Sequence, residues 1–292
     1  MRQALILSGA GSKIAWQVGA LRKLLERFDL DPEIISGVSS GALVGAILSQ
    51  YPKSGNSYPY GFKYGLEKAE DMLLSLRGSK DIWRDRFLWP LSAFKGLSIK
   101  KTWPLKKLLK DHISVRKMRE SGRRFFAGIY HLNTMDYFEV DQFADPLHDW
   151  LLASASFPLM FEPVKMVQPD GTVDLYADGG IREMVPVSRA LTFLPTEIFV
   201  LCVDPLFTKS PRREISNIFD VAKQVLTGGI YEIIQNDLYP LKKYLEKVPH
   251  AKIWLCYPRQ TIDIDPLDFS PLLICDLINK GREECIIEEY RG

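Results

Sequence analysis

The pentapeptide Gly37-Val38-Ser39-Ser40-Gly41 separates the apolar pair Ile34-Ile35 from the small-residue run Ala42 to Leu48. A G-x-S-x-G segment between a strand and a helix has the pattern of a nucleophile elbow. Its glycines admit a strained backbone, and its serine is raised at a helix N-terminus, where the dipole favours developing negative charge. Ser39 is therefore a candidate nucleophile for acyl transfer. The same residue types are also common turn punctuation, so the reading depends on a base and on oxyanion donors elsewhere in the chain.

Both are present. Gly9-Ala10-Gly11-Ser12 offers consecutive backbone N–H groups with little side-chain bulk, just after an apolar run, and reads as an oxyanion hole. A dinucleotide loop would need glycine where this chain has Ile14, and the Lys-Ser/Thr of a phosphate-binding loop is missing. For the base, Asp178-Gly179-Gly180 places a carboxylate before a tight turn that can approach another loop. Burial would raise its basicity above that of a free carboxylate. Taken alone it is also a plain turn like Asp170-Gly171. The four histidines, His112, His131, His148 and His250, stand in no motif. His250 follows Ser39 and Asp178 in the chain order of a Ser-Asp-His hydrolase, but only one strand precedes Ser39, unlike that fold.

These residues need a scaffold. Ala4 to Leu7 reads as a buried strand, and Ile14, Val18, Leu21, Leu25 and Phe28 keep a helical period. Ile34 to Ser36 is a second strand. A strand, crossover helix and parallel strand would bring Gly9 and Ser39 to the same edge of the sheet, where α/β folds bind ligands. Strands are predicted over 125–130, 137–140, 198–203 and 252–257, with a hairpin over 164–176 and a helix near 146–155. A helix should start at Pro186, two helical stretches should break at Gly228-Gly229, and a terminal helix should span 272–290. Residues 51–100, rich in aromatics, read as an inserted cap or lid. The whole, 1–292, is treated as one domain.

At 46% apolar and 25% charged, the composition suits a globular chain with a substantial core. Cys202, Cys256, Cys275 and Cys285 show no C-x-x-C spacing and read as reduced core residues of a reducing compartment. No leader or membrane-spanning run is expected, which suits a cytoplasmic protein that is at most peripheral on a membrane. The net charge of +2 is uneven: Lys95 to Arg124 holds eleven basic residues against two acidic ones. Within it, Thr102 is a candidate cap, with Leu105, Leu108, Leu109 and Ile113 on one helix face and lysines opposite. Such a helix either docks its leucines in the domain or meets an anionic membrane. Nothing calls for nucleic acid, and oligomeric state is not legible.

In order and spacing, Leu7-Ser8-Gly9-Ala10-Gly11-Ser12-Lys13, Gly37-Val38-Ser39-Ser40-Gly41 and Asp178-Gly179-Gly180 resemble the patatin-like phospholipase family. Ala153-Ser154-Ala155-Ser156-Phe157-Pro158, Phe161-Glu162-Pro163-Val164 and Pro186-Val187 extend the resemblance over about residues 4–205. It implies a three-layer α/β/α sandwich with a mainly parallel sheet, and a Ser-Asp dyad hydrolase acting on phospholipids, lysophospholipids and other acyl esters. On that resemblance Ser39 is the nucleophile, Asp178 its base and Gly9 to Ser12 the oxyanion loop, with no metal or organic cofactor. Two positions depart from the family's loop: Ala10 replaces its middle glycine and Ile14 its last. If position 10 needed a positive φ, the hole would be strained. The alternatives are a catalytically degenerate lipid-binding or scaffold protein of the same fold, and a Ser-Asp-His esterase using His250.

Overall fold

The structure is a computed structural model that describes residues 2–53, 61–85, 97–206, 215–216 and 218–292. Its centre is a nine-stranded sheet built on three short strands whose residues are all buried: β1 (Gln3–Leu7), β2 (Ile34–Val38) and β10 (Glu197–Leu201). Strands apolar on both faces belong in the middle of a parallel sheet covered on each side. The remaining main-sheet strands are β5 (Arg124–His131), β6 (Asp136–Asp141), β8 (Val164–Val167), β9 (Val173–Asp178), β11 (Lys252–Pro258) and β12 (Cys285–Glu289). Their order is β12-β11-β10-β1-β2-β5-β9-β8, with β6 also on β5. From β11 to β5 the pairing is parallel; β12, β6, β9 and β8 add antiparallel flanks.

Alternation along the central strands makes three layers. Leu5, Leu7, Phe199 and Leu201 pack into one core with α1 (Ile14–Arg27), α2 (Ser40–Leu48), α3 (Gly61–Leu74), α4 (Trp103–His112), α6 (Leu147–Ser154) and α9 (Pro271–Glu284). Ala4, Ile6, Ile198 and Val200 face the other core, under α7 (Ser188–Leu191) and α8 (Ile218–Lys247). A second sheet joins β3 (Arg84–Asp85), β4 (Ser98–Lys101) and β7 (Leu159–Phe161), and α5 (Val115–Glu120) leads into β5. The mixed α/β class with a mainly parallel central sheet is thus observed.

Three expectations are corrected. One helix runs from Ile218 to Lys247 straight through Gly228-Gly229, with Pro240 inside it. Two helical glycines disfavour the helix by only about 1 kcal/mol each, and Ile234, Leu238, Leu241 and Tyr244 are buried on the sheet beyond them. The terminal helix stops at Glu284, and Cys285–Glu289 turns back as an antiparallel edge strand on β11. Cys202, Cys256 and Cys285 are buried free thiols, but Cys275 is exposed on α9. Within the region 51–100 the structure adds a regular helix, α3; Tyr58, Tyr60, Phe87, Trp89 and Lys95 lie outside the described residues.

Candidate active site

Because β1 and β2 are parallel neighbours, the turns after Leu7 and Val38 meet at one sheet edge. Ser39 has φ 56° and ψ −136°, a conformation natural to glycine and strained for any other residue. The turn is held from two sides. Ser39 N–H donates to Ser154 Oγ at 3.1 Å, and that hydroxyl donates to Gly128 O of β5 at 2.8 Å. A Cβ on Gly41 would stand 2.5 Å from the Leu7 and Ser8 carbonyl oxygens, so only glycine lets α2 press against β1.

Asp178 ends β9, whose pairing with Ile129 of β5 carries it to the same edge. Its Oδ1 accepts the Gly180 N–H at 2.8 Å. Oδ2 is buried with no hydrogen bond of ordinary geometry. Burial pushes the carboxyl up to about 7, while a loose contact with the Ser39 hydroxyl and the Gly180 N–H pull the other way.

The glycine loop narrows to two donors. Gly9 N–H is bound to Met184 O at 3.1 Å and Ser12 N–H to Pro266 O at 2.8 Å. The N–H groups of Ala10 and Gly11 have no partner among the described residues. Ala10 sits at φ −149°, ψ −19°, open to alanine; the positive φ, 56°, falls on Gly11. Alanine at position 10 therefore bears no positive-φ strain. Lys13 forms an ion pair with Asp204 at 3.0 Å.

Ser39, Ser40 and Gly11 border an apolar cavity of about 710 Å³, counted out to its mouth. Its walls come from α2 (Leu43, Val44, Ile47), α3 (Met72, Leu73) and α4 (Leu105, Leu108, Leu109). Ile14, the other departure in the loop, is 2% exposed and is part of that wall. Its lining is that of a site for an apolar ligand.

His250 is exposed just before β11. Since β11 runs parallel to β10, β1 and β2, its N-terminal end is at the edge of the sheet opposite Ser39. Among the described residues, no three His, Cys, Asp or Glu side chains are grouped to hold a metal ion.

A family model described as patatin-like phospholipase matches residues 5–191, more than half of the chain. The chain belongs to the patatin-like phospholipase family. Comparison with curated proteins gives no match. Among solved structures the chain is similar to VipD from Legionella pneumophila, with 12% identity and a TM-score of 0.44, over 97% of this chain and 65% of that one.

Within this patatin-like chain, Ser154 belongs to the Ala153–Pro158 segment that carries part of the resemblance, yet only the structure shows what it does, which is to tie the elbow to β5. Asp237 carries no sequence signal at all. Its Oδ2 accepts the Met184 and Val185 N–H groups at 2.6 and 2.9 Å, fixing the segment whose Met184 carbonyl holds Gly9 N–H. No spacing in the sequence links residue 237 to residue 184; the contact exists because α8 lies across that face.

Proposed function

We propose that this member of the family is a serine acyl-ester hydrolase using Ser39 and Asp178. The observation that carries the reading is the strained Ser39, placed between a buried carboxylate on one side and an apolar cavity on the other. Asp178 takes the Oγ proton as Oγ attacks the ester carbonyl. The N–H groups of Ala10 and Gly11, with that of Ser40 at the start of α2, receive the oxyanion. The C–O bond to the leaving alcohol then breaks, and the alcohol takes the proton from Asp178. Water next attacks the acyl-enzyme and gives a proton to Asp178; the acyl–Oγ bond breaks, Ser39 Oγ takes that proton back from Asp178, and the acid leaves with both residues restored. Residues 1–292 act as one catalytic domain, and the described part of the region 51–100 caps the cavity: Met72, Leu73, Leu76 and Ile82 supply its lining. Hydrolysis of a chromogenic acyl ester by the wild type beside Ser39→Ala tests the assignment; equal rates in the two proteins would reject it.

The substrate is a lipid or other acyl ester, reached by a peripheral contact with anionic membrane. The basic run divides in the fold. Arg123 is buried on Asp31, Lys106 pairs with Asp149 at 2.6 Å and Lys100 with Asp85 at 2.7 Å. Lys101, Lys107 and Lys110 remain exposed, beside Trp103, which is 57% exposed. Lysines near an anionic surface contribute about 1 kcal/mol each. Replacing Lys101, Lys107 and Lys110 by alanine is therefore expected to weaken binding to phosphatidylserine vesicles about 100-fold. Added salt should do the same in the wild type; vesicle sedimentation insensitive to both would remove the membrane contact. No helix among the described residues is long and apolar enough to cross a membrane.

A further inference from the structure

The family match ends at residue 191, yet the cavity beside Ser39 is completed by a segment more than seventy residues later. The loop between β11 and α9 crosses the oxyanion loop and then the cap. At its first crossing, Pro266 O accepts the Ser12 N–H at 2.8 Å and Asp265 O accepts the Ser12 Oγ at 3.3 Å. A Cβ on Gly11 would stand 2.5 Å from Pro266 O, so the loop lies directly on the residue with the positive φ. At its second crossing, Leu267 O accepts from Ser79 Oγ at 3.0 Å and from Trp83 Nε1 at 3.3 Å, and Phe269 N–H donates back to Ser79 Oγ at 3.0 Å. The segment is stiffened from within by Leu267 N–H on Asp265 Oδ1 and Ser270 N–H on Asp268 Oδ1, both 2.9 Å. Along these crossings, Pro266, Leu267 and Phe269 line the cavity.

We propose that residues 265–269 are a substrate-selecting strap: Pro266 positions the oxyanion loop through Ser12, and Leu267 and Phe269 form the cavity wall that sets the length of acyl chain accepted. The proposal rests on the acyl-hydrolase reading and deepens it. Ligand choice by this fold member then lies partly outside the stretch shared with its family. A wall residue touches a long chain over its length and a short one hardly at all, so its substitution acts through KM and grows with chain length. A residue that aims the oxyanion loop acts on the transition state of every ester alike.

The test is the kinetics of p-nitrophenyl butyrate, octanoate and palmitate. Leu267→Trp, which fills the cavity, is expected to lower kcat/KM for palmitate relative to butyrate about 10-fold or more, through KM. Pro266→Gly keeps the carbonyl but loosens the backbone that aims it, and is expected to lower kcat on all three esters by a similar factor with KM held. A chain-length profile unchanged by Leu267→Trp overturns the wall, and an unchanged kcat in Pro266→Gly overturns the positioning. If Leu267→Trp does not fold, Leu267→Ala carries the comparison, with the profile moving towards bulkier acyl groups. If no ester is turned over by the wild type, the hydrolase reading fails separately. The strap is then judged in Ser39→Ala by displacement of a fluorescent polyene fatty acid: weaker binding in Leu267→Trp supports it, and equal binding rejects it.

Discussion

Asp178→Asn is expected to lower ester hydrolysis by about 10³- to 10⁴-fold and, in the same protein, to raise thermal stability at pH 8. The two effects have one cause. Asp178 is fully buried, its Oδ2 has no formed hydrogen bond, and its carboxyl is pushed up to about 7 by burial. In the unfolded chain the group titrates near 3.8. Between these values the folded state binds a proton that the unfolded state does not, so stability falls as pH rises from about 4 to about 7. Above 7 the folded chain holds a buried charge at a cost of roughly 4 kcal/mol. Asparagine keeps the shape and the acceptor for Gly180 N–H while removing that charge. Glu139, raised to about 8, and Asp237, raised to about 7, titrate in the same direction. The difference between wild type and Asp178→Asn cancels them. Thermal melts at pH 8 and pH 5 check this: the variant should melt higher at pH 8 and lose much of that advantage at pH 5. A variant less stable than wild type at both would contradict the buried-charge account.

Ser39 stores strain of a different kind. At φ 56°, ψ −136° a Cβ is unfavourable, typically by about 1–3 kcal/mol, and glycine escapes the penalty. Ser39→Gly and Ser39→Ala both lose the nucleophile, and each is expected to lower hydrolysis by about 10⁴-fold or more. They should differ in stability: the glycine variant is expected to be the more stable by about 1–2 kcal/mol, a melting difference of a few degrees. Equal stabilities would mean that the elbow is not strained. Strain of this kind is tolerated only where the surroundings impose it, here by the Ser154 bridge and the close approach of Gly41 to β1.

What the sequence reveals is local. β1 and β2 are continuous apolar runs bounded by glycine turns, and α1 keeps its period, so the opening βαβ unit and the meeting of Gly9 with Ser39 follow from pattern and handedness. The hairpin is legible for the same reason: Gln168-Pro169-Asp170-Gly171 is turn chemistry. Helix α8 is not, because a Gly-Gly pair is a strong local signal for a break, yet packing of Ile234, Leu238, Leu241 and Tyr244 outweighs it. The last strand reads as helix because Cys285-Ile286-Ile287 follows a helical period without a stop signal; pairing with β11 decides it. In the site, the candidates Ser39, Asp178 and the glycine loop are marked by motif. The roles of Ser154, Asp237 and Pro266 are not, because each depends on a contact between distant segments.

Covalent modification by an alkyl fluorophosphonate tests the central assignment most directly, with the wild type beside Asp178→Asn and the modified residue located by peptide mapping across a pH series. The account requires one adduct, on Ser39, formed at a rate that rises with pH around an apparent pKa of about 7 and that falls about 1000-fold or more in Asp178→Asn. An adduct on another residue, or equal labelling of Ser39 in the two proteins, would contradict it.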